Sequence, residues 1–165
     1  MAWVPAPLFY VPYVPSPHVV VREMLRLANV TQGDVVYDLG CGDGRILISA
    51  VKDFRASRAV GIENDHDRAK ATVRNAAYEG VGERVLVIEG DFFEVDISPA
   101  TVVTMFLLTS VNEALRPKLE KELRKGTRVV SHEFRIPGWR EKKRVEIVDE
   151  NGLSHVIYLY LIGDH

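Results

Sequence analysis

Eleven consecutive residues, Val35-Val36-Tyr37-Asp38-Leu39-Gly40-Cys41-Gly42-Asp43-Gly44-Arg45, restrict the possible folds more than any other stretch. The first half is β-branched and aromatic and runs straight into glycines, as a short buried strand does. The second half is a turn with Gly at every other position. From Ile46 onward, Leu47, Ala50, Val51 and Phe54 stand at i, i+3, i+4 and i+7, one face of a helix ending near Phe54. Strand, glycine turn and helix make the first βα unit of a nucleotide-binding α/β sheet. Glycines, lacking Cβ, let a ligand lie against backbone N–H groups at a helix N-terminus.

The turn also constrains the ligand. A dinucleotide fingerprint G-x-G-x-x-G needs a third glycine at position 45, where Arg45 stands. No Gly-Lys-Ser/Thr follows, which excludes a P-loop. Asp38, two residues before the first glycine, is a poor neighbour for a pyrophosphate and a good one for a ligand bearing an ammonium and a sulfonium. Glu63 closes the next strand, residues 58–62, about twenty residues after the turn, where nucleotide folds place an acid on ribose hydroxyls. The plainer alternatives are a tight turn with no ligand and, for Glu63, a helix-start acid favoured by the macrodipole.

With 165 residues the chain suits one domain, 1–165, and its 47% apolar and 27% charged residues are ordinary for a globular protein. A net charge of −2 lacks the basic excess of a nucleic-acid footprint. No apolar run reaches the ~18 residues of a membrane span, and no basic-led signal peptide opens the chain, so a cytoplasmic protein is expected. Cys41, the single cysteine, reads as a small filler in the turn and not as a nucleophile. One Gln, one Cys and three Met among abundant Glu, Lys and Arg lean towards a thermophile.

Residues 1–17 hold five of the eight prolines, interleaved with Trp3, Phe9, Tyr10 and Tyr13. Proline fixes φ and biases its predecessor to extended backbone, so this is read as a stiff, ordered strap before a core of residues 18–165. It serves either as core cover or as an active-site lid. Ser16 offers an N-cap with Pro17 at N1, and the helix to Ala28 buries Val21, Met24, Leu25 and Ala28. Residues 64–79 make a helix with Ala69, Thr72, Val73 and Ala76 on the sheet, and residues 85–88 a third strand. Residues 101–108 read as a central parallel strand, followed by a helix over 112–123 with a break at Arg116-Pro117. Residues 127–134 form a fifth strand ending in His132-Glu133. No second His or Cys at ligand spacing accompanies His132, so no metal site is expected. Two last strands, 145–148 and 155–162, join around Asn151-Gly152, a hairpin signal.

Asp38-Leu39-Gly40-Cys41-Gly42-Asp43-Gly44 resembles motif I of the class I S-adenosylmethionine (SAM) methyltransferases. Pro12-Tyr13-Val14-Pro15-Ser16-Pro17, Phe92-Phe93-Glu94-Val95-Asp96, Val103 to Thr109 and Ser131-His132-Glu133-Phe134 extend the resemblance, nearly end to end, to the small archaeal protein-lysine methyltransferases. The resemblance implies a Rossmann-like seven-stranded α/β sheet with helices on both faces and a C-terminal antiparallel hairpin. It implies SAM as cofactor, S-adenosyl-L-homocysteine as product and lysine-bearing proteins as partners; a monomer that does not engage a membrane is expected besides. Cofactor contacts are expected at Asp38, Gly40, Cys41, Gly42, Glu63, Asn64, Asp91, Phe92 and Ser16, with Asp91 on the adenine amine and Phe92 on its ring. The plainer alternative for Asp91 and Phe92 is a turn acid and a core aromatic. Backbone carbonyls near Phe106 and Leu107, with Tyr10 or Tyr13, are the candidates for steering the substrate amine. The Asn/Asp-Pro-Pro-aromatic loop of adenine N-methyltransferases is missing after the fourth strand. A small-molecule or RNA methyltransferase and a non-catalytic SAM-binding partner protein are the alternatives.

Overall fold

The computed structural model describes residues 15–164. The proline-rich strap up to residue 14, with Tyr10 and Tyr13, lies outside the described residues. The described residues begin with α1 (His18–Leu27), β1 (Val35–Leu39), α2 (Arg45–Lys52), β2 (Arg58–Glu63) and α3 (His66–Tyr78). A 3₁₀ turn over Gly82–Arg84 leads to β3 (Val85–Glu89), β4 (Val102–Met105), α4 (Thr109–Glu122), β5 (Arg128–His132), β6 (Lys143–Val148) and β7 (Ser154–Leu161). The seven strands form one sheet in the order β3-β2-β1-β4-β5-β7-β6. The first five pair in parallel, and β7 runs antiparallel to both β5 and β6. Chain order reverses between β1 and β4, which opens a crevice beyond their carboxyl ends.

Alternation along the strands separates two cores. Val36, Val102 and Val130 face the layer with Val21, Met24 and Leu25 of α1 and Leu47 and Ala50 of α2. Tyr37, Val103 and Val129 face the opposite layer, with Val111, Leu115 and Leu119 of α4 and the loop residues Ile97, Ile136 and Trp139. Strands covered on both sides must be apolar nearly throughout, as β4 is. The expected architecture, including the C-terminal antiparallel pair, is present.

Several local expectations differ. Ser16 does not cap α1: Pro17 occupies the cap position with no side-chain cap, and the Ser16 hydroxyl is engaged by His132 instead. The fourth strand stops at Met105, where its pairings with β1 and β5 end at Leu39 and Ser131, and does not reach Leu108. The fifth strand ends at His132 because Glu133 turns the chain with φ of 71°. Val73 is 56% exposed and does not face the sheet. The helix around Pro117 is continuous. An internal proline costs roughly 3 kcal/mol, but burying Val111, Leu115 and Leu119 returns about 1.5–3 kcal/mol each. Arg116 also donates to the Pro137 carbonyl at 2.6 Å, so packing prevails.

Candidate active site

The glycine turn closes on its own protein. Gly40, Gly42 and Gly44 have φ of 85°, 58° and 86°, a region that favours glycine. The N–H groups of Gly40 and Cys41 both donate to the Ile62 carbonyl, at 2.8 and 3.2 Å, and Gly44 N–H donates to the Cys41 carbonyl at 2.9 Å. Gly42 N–H donates to Glu63 Oε1 at 2.9 Å. These donors are thus used internally, so the turn offers a ligand room and carboxylates more than free N–H groups. Helix α3 braces it from behind. Thr72 Oγ1 donates to the Gly42 carbonyl at 2.7 Å, and Asn75 Nδ2 donates to the Asp43 carbonyl at 2.9 Å.

Asp38 is buried at the end of β1, and Thr104 Oγ1 of β4 donates to its Oδ1 at 2.8 Å. Burial pushes its carboxyl up to about 7, against the Thr104 bond and with help from the neighbouring acids Glu63 and Asp43. A buried carboxylate among acids is short of a cation. Glu63 is buried too; its Oε1 takes Gly42 N–H and its Oε2 takes Asp65 N–H at 3.0 Å. Two bonds leave further lone pairs for hydroxyl donors. Asn64 stands exposed just beyond it, with Asp65 capping α3 by accepting from Arg68 N–H at 3.0 Å.

Among the described residues, a Cβ built on Gly40 would meet only Leu107 Cδ2 at 3.8 Å and Phe92 Cε2 at 4.0 Å. The two apolar side chains therefore flank the glycine turn from the third and fourth strand ends. Phe92 rings against Phe93, with centroids 5.3 Å apart. The exposed Asp91 spends Oδ1 on Phe93 N–H at 2.8 Å, a turn-stabilising bond that leaves its other oxygen available. Cys41 fills the space between turn and sheet. Burial, then the Asp38 charge, pushes its thiol up to about 12, so it stays protonated and un-nucleophilic at neutral pH.

Phe106 lies half-buried beyond the last paired residue of β4, its ring 4.0 Å from the His132 ring and 6.1 Å from that of Phe134. The carbonyls of Phe106 and Leu107 follow the end of the ladder, at the crevice. Ser16 ties the two sides together: its carbonyl accepts from Arg45 Nη1 at 2.9 Å, and its hydroxyl meets His132 Nδ1 at 2.8 Å. The structure thus gathers Asp38, Gly40, Cys41, Gly42, Glu63, Phe92 and Leu107 around one turn, with Ser16 and Phe106 on the β5 side.

Sequence reasoning missed several partners. Thr104 and Asn75 carried no signal beyond their element. Gly61 did carry one, since glycine inside a β-branched strand marks a close approach. A Cβ there would lie 2.6 Å from Cys41 Sγ and from Leu47 Cδ1. His132, read as solitary, has His155 Nδ1 2.9 Å from its Nε2, because antiparallel β7 brings a residue 23 positions away alongside. With Glu133 these histidines form a three-ligand cluster that could hold a metal ion, which the sequence spacing concealed.

Comparison with known proteins bears on this site. The family description "ANTKMT methyltransferase domain" matches residues 38–143. A protein-lysine N-methyltransferase from Saccharolobus islandicus (strain REY15A) is 57% identical over 165 residues, covering 100% of this chain and 99% of that protein. An adenine nucleotide translocase lysine N-methyltransferase from Mus musculus is 34% identical over 130 residues, 79% of this chain, which spans only 56% of that relative. Among solved structures, an RNA methyltransferase from Salinibacter ruber in complex with S-adenosyl-L-homocysteine is 48% identical. It superposes with a TM-score of 0.84 over 90% of this chain and 94% of that one.

Proposed function

The chain belongs to the family of the ANTKMT methyltransferase domain, class I SAM-dependent enzymes, and from that premise we propose that it methylates the Nζ of protein lysines. The observation that carries the substrate class is the 57% identity, end to end, with the Saccharolobus islandicus protein-lysine N-methyltransferase. The site's residues fit the cofactor. Asp38, buried and short of a cation, suits the cofactor's ammonium, and Glu63 retains lone pairs for its ribose hydroxyls. The apolar side chains of Phe92 and Leu107 beside Gly40 suit the face of a flat ring.

The chemistry supplied by bound SAM is an electrophilic methyl group on a sulfonium, a good leaving group. The chain's own work is to align a neutral amine with that methyl and to keep water out. Phe106 and Phe134 supply apolar walls at the carboxyl ends of β4 and β5. The carbonyls of Phe106 and Leu107 and the strap tyrosines Tyr10 and Tyr13 are the amine-steering groups in this reading. The exposed acids Glu94, Glu113 and Glu133 attract a basic chain. A single domain with strap 1–17, a monomeric state and a cytoplasmic location complete the reading. Among the described residues no helix is long and apolar enough to cross a membrane.

The Salinibacter ruber relative favours RNA as a second reading. The net charge of −2 weighs against it, because RNA binding draws on a basic surface. Incubation of the purified protein with methyl-labelled SAM and a cell lysate decides between them. Label that survives nuclease, disappears with protease and maps to lysine supports the proposal. Label lost only to nuclease overturns it.

A further inference from the structure

Four side chains form an unbroken hydrogen-bonded file from the β6–β7 loop to the crevice. Asp149 Oδ2 lies 2.7 Å from His155 Nε2, His155 Nδ1 lies 2.9 Å from His132 Nε2, and His132 Nδ1 lies 2.8 Å from Ser16 Oγ. The file has a direction. An ionised carboxylate only accepts, so His155 carries its proton on Nε2. Asp149 Oδ1 accepts two backbone N–H groups, from Asn151 and Leu153, so the carboxylate is held as an acceptor with Oδ2 turned to His155. With both imidazoles neutral, His155 Nδ1 is bare and accepts from His132 Nε2–H. His132 Nδ1 is then bare and accepts the Ser16 hydroxyl proton.

The consequence falls on Ser16. Its one proton is turned away into the protein, so towards the crevice the hydroxyl oxygen can only accept. Ser16 is buried between Arg45 of the glycine turn and His132, whose ring lies against Phe106 at the end of β4. We infer that Ser16 Oγ accepts an N–H of the substrate amine and that His132, His155 and Asp149 are positioning residues that fix its polarity. This rests on the lysine reading above. A neutral amine has two N–H donors and one lone pair, and the lone pair must face the methyl group. Acceptors on the N–H groups aim it there, whereas a hydroxyl donating to the nitrogen would occupy the lone pair.

The loop supplies a test that does not touch the crevice. Asp149 Oδ1 accepts from Asn151 N–H at 2.8 Å and Leu153 N–H at 3.0 Å. In Asp149→Asn the amide oxygen stays on those two donors, and the amide nitrogen must face His155. His155 then protonates on Nδ1, His132 on Nδ1 in turn, and the Ser16 proton is expelled towards the crevice. A wrong tautomer at intact geometry is sufficient to disable a relay of this kind.

The experiment combines three readings on purified enzyme. Nitrogen-15 NMR of the histidines, without substrate, should show Nε2–H on both in the wild type and Nδ1–H in Asp149→Asn. Transfer from methyl-labelled SAM to a lysine-rich peptide should lose about tenfold or more in kcat, while calorimetric SAM affinity stays within about twofold. Ser16→Ala should show the same loss of kcat, with part of the rate recovered in Ser16→Thr, and it carries the test if Asp149→Asn does not fold. Wild-type histidines protonated on Nδ1, inverted tautomers with an unchanged kcat, or a loss confined to SAM affinity would each overturn the inference. Absence of any wild-type transfer to lysine sinks the lysine reading instead, and leaves the tautomers to judge the file by themselves.

Discussion

Asp38 is buried where the charges that act on it, those of Glu63 and Asp43, are also acidic. Its folded carboxyl, near 7, lies above the ordinary 3.8. The sign follows: the protonated form is preferred in the fold, so stability is full below about pH 3.8 and declines as pH rises to 7. A gap of about three pH units amounts to roughly 4 kcal/mol. An ammonium bound beside Asp38 reverses that preference. SAM affinity should therefore climb, by up to about tenfold per pH unit, from pH 5.5 to 7 and then level off. Asp38→Asn should remove the slope and lower affinity about ten- to hundredfold at pH 7.5, as should Glu63→Ala for the affinity alone. Calorimetric titration across that range is the measurement, and a flat wild-type profile would separate Asp38 from the cofactor.

Strand β2 and the turn it supports meet at Gly61, where space is set by Cys41 and Leu47. Gly61→Ala should overpack that contact, lower unfolding free energy by about 1–3 kcal/mol and weaken SAM binding by displacing the turn. Gly33→Ala, where nothing among the described residues lies within 4 Å, is the control and should do neither. Denaturant unfolding with parallel calorimetry distinguishes them; equal effects at both positions would refute the packing argument. The β5–β7 pairing carries a second dependence on pH. Burial, reinforced by His155, pushes His132 down to about 4 from its ordinary 6.5. A lowered histidine makes the fold prefer the neutral form, so this contribution is whole above pH 6.5 and is lost as pH falls to about 4. It amounts to about 3 kcal/mol. The stability gap between wild type and His132→Gln should narrow by that much between pH 7 and 4 in urea unfolding. A constant gap would show that His132 is not buried neutral.

For the whole molecule, the proposed substrate imposes its own pH law. A lysine amine with a pKa of about 10.4 is neutral in only about one part in a thousand at pH 7.4. With peptide subsaturating and SAM saturating, log(kcat/KM) should rise with nearly unit slope from about pH 7 to 9. A flat profile, with chemistry limiting, would point to an acceptor whose lone pair is already free, such as a nucleic-acid base. Much of this molecule was legible beforehand: the period-2 and period-3.6 patterns placed the strands and helices of the described residues to within a few positions. The turn glycines with Asp38 and Glu63 pointed to the proposed cofactor site, because βα-unit chemistry is local in sequence. The strand ends at Met105 and His132 were not legible, since a ladder stops where its neighbours stop. Pro117 within a helix was not legible either, since local propensity cannot weigh the apolar face beneath it. The sequence by itself determined the sheet, its parallel core and the acid-and-glycine turn. Only the tertiary structure decided that Gly61 makes room for Cys41, that Thr104 meets Asp38, and that Ser16, His132, His155 and Asp149 stand in file. Apart from the hairpin pair Asp149 and His155, those contacts join residues 20 to 116 positions apart, and strand order, not proximity along the chain, brings them together.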